Sequence, residues 1–489
     1  MQTVAHTPPA IVWFRHDLRL GDNPALSAAA ASGRPIAAIF IRDASVDAMG
    51  ACPKWRLGLS LRSLMRDLRK NGINLILRSG DARKVIPELV AEIGAGAVFW
   101  NRSYAPQEIA RDSAVKSILK SGDITCESSN GGLLIEPWQV QTKTGGFFKV
   151  YTPFWKAIRG RDIAAPCSAP DLRPQSQAGQ DPHSEDIDSW DLGKAMHRGA
   201  EIVAQYQCVG ETAAQARLMH FLDERVDAYG TARDRMDIDA TSRLSENLTY
   251  GEMSPRQIWH AARARMIDGA SGAEKFLKEL AWREFAIHLM FHTPHILNQN
   301  WRDGWDAFPW RGDTHDAEKW RRGETGEPII DAAMREMYVT GQMHNRARMV
   351  VASYLTKHLM TDWRIGQAWF AECLADWDPA ANAMGWQWVA GCGPDAAPFF
   401  RIFNPATQAE KFDPDGRYRQ KFLGDPNQNP EARAFLDAAP RHWNAARPRD
   451  NVAPIVGLAE GRARALAAYK HVSNAKADGA NQNAGSNVS

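Results

Sequence analysis

Five short apolar runs mark the first 130 residues: IVWF (11–14), AAIFI (37–41), NLIL (74–77), AVFW (97–100) and ITCE (124–127). Each is short, and the first four carry almost no polar position. Between the later runs lie longer stretches with apolar residues at helical spacing: WRLGLSLRSLMRDLRKNG, DARKVIPELVAEIG and PQEIARDSAVKSILKSG. Short apolar strands alternating with amphipathic helices predict a parallel sheet covered on both faces. Residues 1–130 are therefore read as an α/β, Rossmann-like domain. From about residue 200 the pattern turns helical, as in EKFLKELAWREFAIHLMF and QMHNRARMVVASYLTKHLM, and 201–472 reads as an all-α domain. The stretch 131–200 is read as the connection, because residues 160–195 are rich in Pro, Ser, Asp and Gly. Residues 473–489, SNAKADGANQNAGSNVS, are polar and low in complexity and predict disorder.

The α/β pattern raises the expectation of a dinucleotide fingerprint, which is missing. No GxGxxG follows any of the five runs, and GxxxxGK[ST] occurs nowhere. A nucleotide bound by this chain has to be held by other means. Charge narrows the reading further: 59 basic against 57 acidic residues give a net +2. That excludes a uniformly basic nucleic-acid coat but leaves room for a local basic face. The six cysteines are scattered with no CxxC pair, which fits reduced thiols in a cytoplasmic protein. There is no basic-then-apolar leader and no run long enough to span a membrane.

Of 18 tryptophans, eleven lie between Trp259 and Trp388. Glu279 and Trp282 are three apart on a predicted helix and share a face. Asn345, Arg348, Met349 and Ala352 do the same in MHNRARMVVASYL. A buried Arg348 would need an acid, and Asp376 and Asp378 are the candidates. Taken alone, such residues more often mean a tryptophan-rich core and a solvated charged face than the wall of a pocket. His288 and His292 are spaced i, i+4, but the glutamate of HExxH is absent and no metal is expected.

Read in order, the motifs are more specific. WFRHDLRLGDNPAL (13–26), TSRLSENLTYGEMSPRQ (241–257), ELAWREF (279–285), MHNRARMVVASYL (343–355), DW followed by RIG (362–366) and the 378–405 stretch ending RIFNP resemble the photolyase/cryptochrome flavoproteins along nearly the whole chain. The resemblance is nearest to bacterial photolyases for cyclobutane pyrimidine dimers. It implies an N-terminal α/β antenna domain and a helical C-terminal domain that binds FAD. It assigns flavin contacts to Tyr229, Thr241, Ser242, Arg243, Leu244, Ser245, Arg283, Arg348, Asp376, Asp378 and Asn382. Asn382 would accept from a flavin ring N–H without adding charge, where plant-type cryptochromes carry an aspartate.

The resemblance also implies a substrate pocket of Glu279, Trp282, Asn345, Met349 and Trp388 for a dimer flipped out of UV-damaged DNA. Trp386, Trp363 and Trp310 match the family's electron relay to the surface. Arg233, Arg346, Arg401 and Lys411 are the candidate phosphate contacts. Asn345 and Met349 stand where relatives acting on (6–4) photoproducts carry histidines, which points to cyclobutane dimers. A second chromophore, a folate or a deazaflavin, is expected in many relatives, but the Cys-Lys pair that contacts folate has no equivalent in HTPHILNQN. The expected partner is damaged DNA, bound by a monomer without membrane attachment. The alternative is a cryptochrome-like photoreceptor, which predicts a long C-terminal extension and often a lost lesion pocket; here the tail is short and all five pocket residues are present.

Overall fold

The computed structural model describes residues 7–172, 182–395, 401–445 and 452–485. Residues 173–181 of the expected connection, 396–400 of the 378–405 stretch and 486–489 of the tail lie outside the described residues.

All five apolar runs form strands: β1 (Ala10–Phe14), β2 (Ile36–Arg42), β3 (Leu75–Ser79), β4 (Ala97–Asn101) and β5 (Thr125–Ser129). They make one parallel sheet in the order β3-β2-β1-β4-β5. Strand alternation divides β1 between two cores. Val12 and Phe14 pack with Leu57, Leu61 and Leu64 on one face, while Ile11 and Trp13 pack with Ile86, Leu89 and Val115 on the other. This double coverage is why the runs read as continuous apolar segments. The edge strand β5, TCESS, is polar and partly exposed along its length.

Strand order reverses between β1 and β4, the place where open α/β sheets commonly bind ligands beyond the strand ends. Here that crevice holds side chains of the protein itself. Arg15 pairs with Asp112 at 2.6 Å and Arg111 with Asp43 at 2.6 Å. Both guanidinium groups lie over the Trp13 indole, at 4.4 and 4.9 Å from its centroid. The missing glycine-rich cradle and the filled crevice agree.

The helical half is built from Pro255–Ile267, Ala273–His292, Pro328–Thr340, Asn345–Ser353, Trp363–Cys373 and Pro379–Ala390, with a π-turn at Tyr354–His358. The connection between the halves is not a loose spacer. Leu133, Leu134, Val140, Tyr151, Phe154, Trp155 and Ile158 are buried in one core with Phe276, Leu280 and Phe285, and Ile187, Trp190 and Leu192 join the core of the sheet. The helix Tyr151–Ile158 presents Tyr151, Phe154, Trp155 and Ile158 on one face by their spacing; the turn-forming residues that follow hide this signal. The tail also departs from expectation. The last helix is continuous from Leu458 to Gly485, across most of the segment predicted to be disordered. Ala475, Ala477, Ala480 and Ala484 supply helix propensity that the polar composition masks.

The halves meet through buried charge. Arg56, wholly inaccessible, donates to both carboxylate oxygens of Glu252 at 3.0 and 2.8 Å. Asn247 donates to the same carboxylate at 2.7 Å, and Arg256 pairs with Asp22 at 2.7 Å. Gly251 has φ +65°, and a Cβ there would overlap the backbone of His16 and Asp17, so the helical half closes on the β1 loop only because this residue is glycine.

Candidate functional site

The deepest part of the site starts from one charge that had to be answered. Arg348 extends from the helix Asn345–Ser353, and its Nη2 donates to both oxygens of Asp376 at 3.0 and 2.8 Å. Its Nε donates to the Met343 carbonyl at 2.9 Å. Asp376 is buried, so the pair satisfies an otherwise costly ion. Asp378 does different work. It caps the helix Pro379–Ala390 by accepting from Ala381 N at 2.7 Å. One turn on, the Asn382 side-chain N–H donates to the Asp378 carbonyl at 2.9 Å. With that donor committed, the amide oxygen of the buried Asn382 is left as an acceptor.

The same helix carries both tryptophans, about 200° apart around its axis. Trp386 is buried, edge-on to Phe370 at 4.9 Å and to Trp320 at 6.2 Å, with its Nε1 unpartnered. Gly366 admits it: a Cβ at that position would overlap the Trp386 six-membered ring. Trp388 is half-buried and donates from Nε1 to the Asp395 carbonyl at 3.1 Å. Trp363 is fully buried, its Nε1 donating to Asn300 Oδ1 at 2.9 Å. Trp310 packs on Phe308 at 4.4 Å and on Trp305 at 6.4 Å. Trp363 and Gly366 lie three apart on one helix, which places Trp363 near Trp386, but among the described residues none of the three expected relay indoles stacks on another.

Nearer the surface, Glu279 is half-buried and ion-paired with Arg233, with Lys275 at 3.5 Å. Trp282, one turn further, lies flat against Tyr151. Asn345 is exposed at the start of its helix and Met349 is half-buried. His344 caps that helix, its Nδ1 accepting from Arg346 N at 3.1 Å, and burial pushes its pKa down to about 4. It is neutral at physiological pH.

Among the expected phosphate contacts, Arg233 and Arg346 are compensated within the protein. Arg233 is held by Glu279, and Arg346 pairs with Asp234 at 2.8 Å while covering the Phe412 ring at 4.4 Å. Arg401 and Lys411 are exposed.

The 241–245 segment is a bend rather than a glycine loop. Thr241 and Ser242 are half-buried, Leu244 is buried, and Ser245 opens the short helix Ser245–Thr249. Arg243 has φ +51° and pairs with Asp239 at 3.3 Å; a left-handed arginine is rare and marks a constrained turn. Tyr229 is buried edge-on to Phe221 and Phe276. Arg283 donates to the Gly132 carbonyl at 2.9 Å and to Glu284 at 3.1 Å, fastening the connection to the helix.

Two residues near this group went unnoticed in the sequence. Glu284, fully enclosed, accepts from Leu134 N at 2.8 Å, and its burial raises its carboxyl pKa to about 7. Tyr151 could have been found from its helical spacing with Phe154, Trp155 and Ile158. His288 accepts from Phe148 N at 3.2 Å, and burial lowers its pKa to about 3. Among the described residues no group of three His, Cys, Asp or Glu side chains could hold a metal.

The donor set fits a flavin. The buried Asn382 offers a charge-neutral acceptor oxygen, the Arg348 guanidinium is compensated by Asp376, and a polar bend carries Thr241 and Ser242 next to Arg243.

Comparison with known proteins agrees. The family described as "FAD binding domain of DNA photolyase" matches residues 276–471, and the family described as "DNA photolyase" matches residues 10–171. The deoxyribodipyrimidine photo-lyase of Agrobacterium fabrum is 43% identical over 480 residues, covering 95% of this chain and 98% of that one. The crystal structure of a bacterial class III photolyase from Agrobacterium tumefaciens superposes with a TM-score of 0.89 at 42% identity, covering 97% of this chain and 99% of that one. Cryptochrome-1 of Arabidopsis thaliana is 33% identical over 480 residues, 93% of this chain but 69% of the longer plant protein.

Proposed function

Because the chain belongs to the photolyase/cryptochrome family, we propose that it is a deoxyribodipyrimidine photo-lyase that splits cyclobutane pyrimidine dimers in UV-damaged DNA under light. The reading is supported by the burial of the residues concerned: Trp282, Trp388 and Glu279 are half-buried, whereas Asn382 is buried and half-buried Arg348 is paired with buried Asp376.

FAD, when bound, supplies the light-driven electron and takes it back. Asn382 accepts from a flavin ring N–H and adds no charge beside it. Arg348, fixed by Asp376, keeps a cation in the interior without leaving it unpaired. Thr241, Ser242 and the backbone of 243–245 serve the diphosphate, with Arg243 as the adjacent cation.

A dimer stacks poorly in a duplex, so flipping it out costs a few kcal/mol at most. Stacking on Trp282 and Trp388 offsets that by about 1–3 kcal/mol per base. Glu279 accepts from a base-edge N–H, and Asn345 and Met349 complete the wall. Arg233 pairs with Glu279 and restrains its side chain. No nucleophile is needed, since both ring bonds break once an electron has arrived.

Relatives acting on (6–4) photoproducts need a proton donor at this wall. Asn345 and Met349 offer none, and His344 is neutral with Nδ1 committed to its helix cap. Cyclobutane dimers are therefore the substrate. Any antenna chromophore belongs to the α/β half, outside the strand-end crevice that Arg15 and Arg111 fill. No described helix is long and apolar enough to cross a membrane; the protein acts on DNA as a cytoplasmic monomer.

The test uses chemically reduced, flavin-loaded protein under near-UV or blue light with two oligonucleotides, one bearing each lesion. Intact thymines are expected from the cyclobutane substrate only. Repair of the (6–4) substrate, or of neither, would reject the assignment.

A further inference from the structure

Tyr151 comes from the connection between the halves, yet its phenol lies on the Trp282 indole with ring centroids 3.6 Å apart and planes 6° from parallel. Its Oη donates to the Lys278 carbonyl at 2.6 Å, one residue before Glu279. Phe285 meets it edge-on at 5.9 Å. A ring fixed at its edge and at its hydroxyl cannot turn between rotamers.

The other end of the residue reaches the second indole. The Tyr151 backbone N–H lies towards the Asp395 carboxylate and opposes the upward push of burial on that acid. Asp395 has φ +52°, and its carbonyl accepts from Trp388 Nε1 at 3.1 Å. Trp282, Tyr151, Asp395 and Trp388 are thus neighbours in turn.

We infer that Tyr151 is a positioning residue that sets the orientation of Trp282 relative to Trp388 and so separates damaged from intact DNA. The inference rests on the lesion pocket proposed above. An indole covered flat on one face offers a single free face to a base. A wall whose separation is fixed from behind gains more from two pyrimidines joined at a fixed spacing than from a base that must be unstacked first.

The experiment measures affinity of the flavin-loaded protein for duplexes with and without one cyclobutane dimer, by fluorescence anisotropy in the dark. Tyr151→Leu keeps bulk and removes the flat ring; Tyr151→Phe keeps the ring. The leucine variant should lower the damaged-to-intact affinity ratio about tenfold, the scale of one lost stacking contact, with flavin content and photoreduction unchanged. The phenylalanine variant should stay within about threefold of the parent ratio. In a Trp282→Ala background Tyr151→Leu should add nothing, because it acts through that indole. An unchanged ratio in Tyr151→Leu, or full additivity with Trp282→Ala, overturns the inference while leaving the repair reading in place. If the leucine variant loses its flavin, the phenylalanine variant decides: a ratio lowered tenfold there assigns the effect to the hydroxyl and overturns the role of the ring. A parent protein that binds both duplexes alike overturns the repair reading and the brace together.

Discussion

The strand ends of the α/β half and the interior of the helical half both gather arginines beside tryptophans, and they use them in opposite ways. Around Trp13, Arg15 meets Asp112 and Arg111 meets Asp43, and the cations cover the ring. In the helical half, a glycine clears space for the Trp386 indole, Asn382 keeps an oxygen as an acceptor, and Arg348 is matched to Asp376. Composition would rank the two places alike. What separates a filled crevice from a cofactor site is which polar atoms the protein leaves for something else.

The sharpest break comes from the two neighbouring indoles. Trp386→Phe should slow photoreduction of the bound oxidised flavin at least tenfold, read from its absorbance under illumination, while repair survives prior chemical reduction. Trp388→Ala should leave photoreduction intact and weaken lesion binding about tenfold. Equal phenotypes for both would dissolve the distinction between a buried relay face and an open wall.

Next come the two ion pairs. Asp376→Asn leaves Arg348 without its acid in the interior, which should cost about 3 kcal/mol and release the flavin. Asp112→Asn in the α/β half should lower the melting temperature without changing flavin content, because that pair serves the fold alone. Loss of flavin from both variants would mean that the halves are not specialised as described.

A smaller effect is expected from Asn382→Asp. The flavin should stay bound, and its reduction should become less favourable through repulsion between like charges, seen as a more negative midpoint potential in a spectroelectrochemical titration. An unchanged potential would remove Asn382 from the flavin's surroundings.

The smallest is a pH effect at Glu284. Its folded pKa is raised to about 7 by burial, above an unfolded value near 4.3. Between those limits the folded protein keeps a proton that the unfolded chain has lost. The stabilisation is complete below the lower value and disappears as pH rises through about 7. Glu284→Gln should flatten the fall in melting temperature across pH 4.5–7.5; a slope equal to the parent's would place the titration elsewhere.

Local pattern carried much of this. All five strands and the need of Arg348 for an acid were legible, because each depends on neighbours in sequence or on one unavoidable charge. Contacts spanning long separations were not. Tyr151 reaches Trp282 across 131 positions and Glu284 reaches Leu134 across 150, and neither end carries a mark of the other. Arg233 read as a phosphate contact because an arginine in sequence shows its charge but not that Glu279 already answers it. The three indoles expected to form a relay were legible as indoles, whereas their packing on Phe370, Trp320 and Trp305 was not.

The buried Arg56–Glu252–Asn247 cluster has a consequence for modularity. A cut near residue 200 would leave Glu252 and Glu246 in the helical half without the Arg56 guanidinium, and Arg56 in the other half without any acid within reach. Neither piece could inherit a soluble, well-folded surface from such a division. The boundary visible in the hydrophobic pattern thus separates two architectures but not two heritable modules: an exchange of the α/β half between relatives would succeed only where the incoming partner brought an arginine at the matching turn of its helix.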